Sequence, residues 1–117
     1  MTLERIVRDL GLERLTPELT ENEKAEISLA HASDLLSDVL AHAPRGGVLV
    51  TSQTHMNVVA VALHAEQSGV IFSSGMSPEA AVRERATAEG LPLFATREAT
   101  FDVAGKLYVA GLRGGHG

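Results

Sequence analysis

The feature that most constrains the fold is a buried strand, a polar turn and an apolar helix that follow one another in residues 48–63. Residues 48–50 are an apolar run rich in valine, and the Arg-Gly-Gly of residues 45–47 introduces it with a turn signal. Both properties predict a buried strand. Residues 51–55 are polar, and residues 58–63 are so apolar that a helix there must be buried on most of its surface.

The same strand–turn–helix pattern recurs twice more along the chain. It predicts strands at 48–51, 70–73 and 92–95, and helices near 56–67, 78–89 and 100–111. In the second unit Ser77 is the expected cap and Pro78 the first helical residue. Successive units of this kind imply parallel strands joined by helical crossovers. The expected fold is therefore an α/β three-layer sandwich with a mostly parallel sheet.

The segments before the central unit predict further elements. Thr2 is an expected N-cap for a helix through Leu10, which Gly11 ends. Residues 12–15 and 27–30 are expected strands, and residues 18–26 an exposed connection. A helix through His42 is expected to start at Ser33 as its cap, with Asp34 in its first turn.

The last helix and the carboxyl terminus complete the expected domain. Four side chains of that helix are expected to face inward: Phe101, Ala104, Leu107 and Tyr108. Residues 1–112 are expected to form one domain, since 117 residues suffice for one core, and residues 113–117 are expected to be a flexible tail.

Composition limits the possible partners and cofactors. Net charge is −5 without a dense basic patch, so no nucleic-acid partner is expected. The absence of cysteine excludes disulfides and thiolate metal sites. No apolar run is long enough to cross a bilayer, so we expect a cytoplasmic protein without a membrane partner.

The polar turns after the first two predicted strands are the candidate ligand site. Unpaired N–H groups and the helix dipole favour anions where a strand ends and a helix begins. The candidate residues are Thr51, Ser52, Thr54, His55, Asn57, Ser73, Ser74 and Gly75. His31 and Thr96 could belong to the same polar crevice. The alternative role for each residue is a helix cap or a loop hydroxyl satisfied within the chain.

Catalytic and metal-binding patterns are weak. Gly105-Lys106 is the only Gly-Lys pair, and Leu107 follows it where a phosphate-binding loop needs a hydroxyl. His31 and His55 have no carboxylate at metal-ligand spacing, so no metal site and no cofactor are expected. Ser33, Asp34 and His31 share only their composition with a catalytic triad. An enzyme is therefore an outside possibility.

Residues 27–112 resemble the DRTGG domain family through several short phrases. These are residues 33–39 (Ser-Asp-Leu-Leu-Ser-Asp-Val), 48–63, 69–75 (Gly-Val-Ile-Phe-Ser-Ser-Gly) and 101–107 (Phe-Asp-Val-Ala-Gly-Lys-Leu). The opening residues 3–15 are similar to stand-alone members, some of them similar to proteins encoded beside iron hydrogenases. The family accompanies phosphotransacetylases, CBS-containing pyrophosphatases and relatives of HPr kinase/phosphorylase. The resemblance implies a fold like the amino-terminal domain of that kinase and a regulatory role.

The chain departs from the family at the two phrases that name it. Aligned by eye, the Asp-Arg falls on Thr54-His55, and the Thr-Gly-Gly falls on Ser73-Ser74-Gly75. If the family's turn binds a charged metabolite, the histidine implies weaker binding, or binding only when His55 is protonated.

The expected function is that of a non-catalytic regulatory or sensory domain that self-associates and responds to a small anionic metabolite. The alternative is a dedicated binding protein for a nucleotide or another phosphate-containing ligand. A homodimer is expected through the apolar helix, at Val58, Val61 and Ala62. Within one chain, the amino-terminal helix is the other candidate to cover that helix.

Overall fold

The computed structural model describes residues 1–115 as a six-stranded sheet with helices on both faces. The strands are β1 (Glu13–Arg14), β2 (Leu29–Ala32), β3 (Val48–Thr51), β4 (Gly69–Phe72), β5 (Leu93–Ala95) and β6 (Arg113–Gly114). The helices are α1 (Leu3–Leu10), α2 (Leu36–His42), α3 (Asn57–His64), α4 (Ala80–Glu89) and α5 (Thr100–Val109). This is the α/β class that the sequence predicts.

The sheet order is β1-β5-β4-β3-β2-β6, and the pairs from β5 through β6 are parallel. Only β1 runs antiparallel, with Glu13 opposite Ala95. Every residue of β3 and β4 is buried, because helices cover both sheet faces and successive side chains point to opposite faces. The three predicted parallel strands are therefore confirmed, within one residue at each end.

The two faces of the sheet bury separate clusters. Side chains of α1 and α5 pack with Val48, Val50 and Ile71 on one face. Side chains of α2, α3 and α4 pack with Leu49 and Val70 on the other. This arrangement is the three-layer sandwich, and its helices place the loops after β3, β4 and β5 along one edge.

The amino-terminal elements include one confirmed helix and one correction. Thr2 caps α1 by accepting the Arg5 N–H at 3.2 Å, and Gly11 ends the helix with φ of 64°. The expected connection is mostly exposed, as predicted, but it forms the 3-10 segment Pro17–Lys24. Its Glu23 side chain is buried and accepts two hydrogen bonds from Arg14, both at 2.8 Å. The Arg14–Glu23 pair thus joins the connection to β1. The charged composition of the segment does not predict this buried contact.

The surroundings of α3 correct the predicted dimer interface. Val58 and Ala62 are 0% exposed, so neither can contact a partner in this structure, while Val61 is half-buried. The helix that covers α3 is α2, which packs beside it and contributes Val39 to the same cluster. The alternative cover, α1, lies on the opposite face of the sheet. Helix α2 therefore covers part of α3 within one chain, while Ala60 and His64 of α3 stay exposed.

Two further predictions at the carboxyl terminus are wrong. Phe101 and Tyr108 of α5 are 75% and 60% exposed, whereas Val103 and Leu107 are buried. Phe101 and Tyr108 are seven residues apart and share one face, and the buried pair occupies the opposite face. The expected tail also begins too early, because Arg113–Gly114 forms β6 beside β2. His116 and Gly117 lie outside the described residues.

Candidate functional site

The candidate residues lie at the carboxyl edge of the sheet. Thr51 at the end of β3 is in register with Phe72 at the end of β4. The backbone N–H of Ser73 donates to the Thr51 carbonyl at 2.9 Å, so the two loops begin side by side. Ligand sites of open α/β sheets form beyond this edge.

Thr51 and Ser52 are held by a residue outside the predicted site, Asp34. The Thr51 hydroxyl donates to Asp34 Oδ1 at 2.9 Å and accepts the Gln53 N–H at 3.1 Å. Ser52 donates to the same carboxylate from its backbone N–H at 2.7 Å and from its hydroxyl at 2.6 Å. Both residues thus fulfil the alternative role, that of loop groups satisfied within the chain.

Asp34 is not in the first turn of a helix. Helix α2 begins at Leu36, and the Ser33 hydroxyl accepts the Leu35 N–H at 3.1 Å in a local turn before the helix. The hydrogen bond from the Ser52 hydroxyl lowers the pKa of Asp34 below its usual value. The hydrogen bonds from the Ser52 backbone N–H and the Thr51 hydroxyl act in the same direction. Asp34 is an ionised clamp that joins the end of β2 to the loop after β3.

The turn Ser73–Gly75 does not offer its N–H groups to a ligand. The Ser74 N–H donates to the Glu98 carbonyl at 2.7 Å, and the Gly75 N–H donates to the Thr96 carbonyl at 3.0 Å. Ser73 is fully buried, and its hydroxyl lies 2.5 Å from the hydroxyl of Thr100. The turn therefore holds the loop between β5 and α5 rather than an anion.

Thr54 and His55 line a cleft, and Asn57 follows them as the first residue of α3. His55 is exposed, and its Nδ1 accepts the Asn57 N–H at 3.1 Å at the start of α3. An accepting Nδ1 places the proton of neutral imidazole on Nε2, which can therefore donate without further protonation.

The cleft has a volume of about 360 Å³. Its lining residues are Gln53, Thr54, His55 and Met56 from the loop after β3, and Glu79, Ala81 and Val82 from the start of α4. Glu79 is the residue before α4, which begins at Ala80 rather than at Pro78. Hydroxyl, imidazole and amide groups on one wall face a carboxylate and aliphatic side chains on the other.

His31 does not join this cleft. Its Nε2 lies 2.7 Å from Asp38 Oδ2 of α2, and this hydrogen bond lowers the pKa of Asp38. The pair connects β2 to α2, so His31 has a structural role.

A second cleft, of about 290 Å³, lies between the loops after β4 and β5. It is lined by Glu13, Gly75, Met76, Ser77, Ala95, Thr96 and Arg97. Gly75 and Thr96 are among the residues predicted for the polar crevice, whereas Arg97 is not. Arg97 follows the third predicted strand by two residues. The rule that ligand sites form beyond the carboxyl ends of parallel strands selects residues 51–57 and 73–75, and it applies equally to Arg97.

The structure adds no metal site or membrane segment in the part of the chain that it describes. Within residues 1–115, no three histidine, aspartate or glutamate side chains lie close enough together to hold a metal ion. No helix in the same range combines the length and apolar character needed to cross a bilayer.

Comparisons with known proteins agree with the sequence resemblance. The DRTGG domain model matches residues 5–110. The regulatory CBS and DRTGG region of a Clostridium perfringens pyrophosphatase, solved with its activator diadenosine tetraphosphate, aligns with a TM-score of 0.75 at 16% identity. That alignment covers 95% of this chain and 47% of the other. No curated protein matches significantly. Because the family model spans nearly the whole sequence, the chain belongs to the DRTGG domain family.

Proposed function

We propose that this protein is a non-catalytic regulatory domain that self-associates and binds a small anionic metabolite at the carboxyl edge of its sheet. The observation that carries the proposal is the match to a family of regulatory domains over residues 5–110. The related pyrophosphatase region was solved with diadenosine tetraphosphate. Nucleotides with several phosphate groups are therefore the first ligands to test.

The cleft beside His55 supports binding at this edge. Its volume of about 360 Å³ is at the lower end of the range for small-molecule sites. The Nε2–H of neutral His55 and the hydroxyl of Thr54 supply donors on one wall. We therefore expect His55→Ala to weaken anion binding at pH 8 as well as at pH 5.5, and equal affinities of the two proteins would remove His55 from the site.

Thermal unfolding tests the binding function directly. The wild type should be unfolded with ATP, diadenosine tetraphosphate, pyrophosphate and, as the uncharged control, adenosine. A ligand at about 100 times its Kd stabilises the folded state by about 2.7 kcal/mol. Stabilisation by the anions but not by adenosine supports the proposal. Unchanged unfolding with every compound contradicts it.

For self-association we propose the exposed face of α5 in place of α3. Phe101, Tyr108 and Val109 are 75%, 60% and 88% exposed, an unusual concentration of large side chains. Between Phe101 and Val109 lies Gly105, where an added Cβ would meet no atom within 4 Å. The result is a groove of about 680 Å³ lined by apolar side chains and by the charged groups of Asp9, Glu98, Asp102 and Lys106.

We propose that α5 of a second copy packs in this groove in antiparallel orientation. Such packing places Phe101 of each protomer against Val109 of the other, with both Gly105 residues at the crossing point. Asp102 and Lys106 lie at the groove, four residues apart on the helix, so two-fold pairing brings opposite charges together. Lys106 also binds Glu98 within its own chain.

The alternative function, a dedicated binding protein, differs in one measurable property. In a regulatory domain ligand binding changes the dimer dissociation constant, because two coupled equilibria shift each other reciprocally. Sedimentation of the wild type with and without a stabilising ligand measures that change. A ligand that binds without shifting the monomer–dimer equilibrium favours the dedicated binding protein.

A further inference from the structure

The backbone on both sides of Arg97 is fixed by two neighbouring residues of another loop. The Ser74 N–H donates to the Glu98 carbonyl at 2.7 Å, and the Gly75 N–H donates to the Thr96 carbonyl at 3.0 Å. The Glu98 N–H also donates to the Thr96 hydroxyl at 3.2 Å. These three hydrogen bonds bracket Arg97, so the direction in which its side chain leaves the backbone is set before any ligand arrives.

The turn that makes two of these bonds has an unusual conformation. Ser74 and Gly75 have φ of 61° and 73°, two left-handed residues in succession. A residue other than glycine persists in that region where its surroundings over-determine it, and such residues cluster at ligand sites. Here the conformation turns two consecutive N–H groups toward the loop that carries Arg97.

The Arg97 side chain itself is available. It is exposed and lines the cleft of about 290 Å³ beside Ser77 and Thr96. Within residues 1–115, no carboxylate lies within ion-pair distance of its guanidinium group. Glu13 also lines this cleft but forms no ion pair with Arg97, while Glu98 is bound to Lys106. The cleft therefore contains one unneutralised guanidinium group with neighbouring hydroxyls.

We propose that Arg97 is the principal phosphate-binding residue of this domain and that the turn Ser73–Gly75 is its positioning element. This rests on the proposed anion-binding function and names a different residue from His55 as the main contact. A guanidinium group donates two parallel hydrogen bonds to a phosphoryl group. The ligand class is a phosphoryl group, whether free or part of a nucleotide, with the hydroxyl of Ser77 as a further donor.

An NMR titration of the full chain with pyrophosphate tests the assignment. Backbone amides of residues 75–77 and 96–98 in the wild type should shift, and Arg97→Gln should raise the Kd by about tenfold or more. The Kd of Arg97→Lys should lie between those of the wild type and Arg97→Gln, since lysine retains the charge but cannot donate two parallel hydrogen bonds. Arg85→Gln on α4, which removes an exposed arginine outside the cleft, is the matched control and should bind like the wild type.

The positioning role needs separate variants. Thr96→Val removes the hydroxyl that accepts the Glu98 N–H while keeping the shape of the side chain. We expect several-fold weaker binding together with shifted Arg97 amide resonances in the free protein. Gly75→Ala, strained at φ of 73°, should act in the same direction, and Thr96→Val serves if Gly75→Ala fails to fold. Wild-type affinity in Thr96→Val would overturn the positioning role.

Two outcomes separate this inference from the proposed function. If pyrophosphate shifts only residues 53–57 and Arg97→Gln binds normally, the inference is overturned and the anion-binding function stands. If the wild type binds none of pyrophosphate, ATP and diadenosine tetraphosphate, both are overturned. Repeating the titration with ATP and adenosine separates the two phosphoryl sources, because a nucleotide site binds ATP more tightly than pyrophosphate.

Discussion

The carboxylate of Asp34 accepts two hydrogen bonds from Ser52, one from the backbone N–H at 2.7 Å and one from the hydroxyl at 2.6 Å. This contact ties the end of β2 to the loop that carries His55. The loop would otherwise begin with polar groups satisfied only by solvent. Asp34 thus supports the candidate site without entering its cleft.

The first prediction concerns the pH dependence of this clamp. Because the hydrogen bonds from Ser52 lower the pKa of Asp34, its contribution to stability is present above the unfolded-state pKa, about 3.9. It is lost as pH falls through the lower, folded-state pKa. Asp34→Ala should reduce the free energy of unfolding at pH 7 by about 1 kcal/mol, since solvent reaches the site.

Denaturant unfolding at pH 7 and at about pH 3 measures this difference. The difference in the free energy of unfolding between the wild type and Asp34→Ala should be smaller at the lower pH, because the carboxylate approaches protonation there. Glu84→Gln on α4 is the control, and its difference from the wild type should stay small at both pH values. A difference in the free energy of unfolding that grows on acidification would contradict the stabilising role of ionised Asp34.

The second prediction concerns the link between Arg14 and Glu23. Arg14→Ala leaves a carboxylate that is 3% exposed without its two charged hydrogen bonds. The free energy of unfolding should fall by about 1.5–3 kcal/mol. Arg5→Ala, which removes an exposed pair with Asp9, should cost no more than about 0.5 kcal/mol. Chemical denaturation measures the free energy of unfolding of both variants. Equal decreases for Arg14→Ala and Arg5→Ala would contradict the prediction.

The third prediction uses the strain at Ser74. Because left-handed backbone costs most residues about 1–2 kcal/mol, Ser74→Gly should raise the free energy of unfolding by about 0.5–1 kcal/mol. The same substitution at Ser37, an exposed residue of α2, should lower it, because glycine disfavours helices. Opposite signs are the expected result, and destabilisation by Ser74→Gly would show that its hydroxyl has a role.

The fourth prediction concerns the α5 surface. Val109→Glu places a charge in the proposed interface at a residue that is 88% exposed, so the variant should stay folded and become monomeric. Leu40→Glu on α2, on the opposite face of the sheet, should leave the association unchanged. Sedimentation velocity at tens of micromolar distinguishes the two, and a wild type that is monomeric there would exclude the dimer.

The central strands of the sheet could be predicted because the information for them is local. The strands β3 and β4 are continuous apolar runs bounded by turn residues, and each specifies its own conformation. The layer that covers α3 could not be predicted in this way, since it depends on where α2 packs. The apolar sequence of α3 alone predicts a dimer interface, whereas α2 of the same chain covers part of that helix.

The sequence predicts that the candidate residues share the carboxyl edge of the sheet, but it does not predict which of them are bonded within the chain. Ser33 and Asp34 have the composition of a helix start, yet the partner of Asp34 is Ser52, which only sheet pairing brings near. Likewise, the sequence alone does not show that the N–H groups of Ser74 and Gly75 are bonded. Their acceptors, the carbonyl groups of Glu98 and Thr96, lie in the separate loop after β5. Which groups remain free for a ligand depends on contacts between loops that no local pattern contains.

The most direct test of the account is an amide-resolved NMR titration of the wild type with diadenosine tetraphosphate. Binding at the carboxyl edge predicts shifts in the loops after β3, β4 and β5, at residues 52–57, 73–79 and 96–100. The loops at the opposite edge, residues 44–47 and 90–92, should stay unchanged. Shifts confined to that opposite edge, or no shifts at millimolar ligand, would contradict the account.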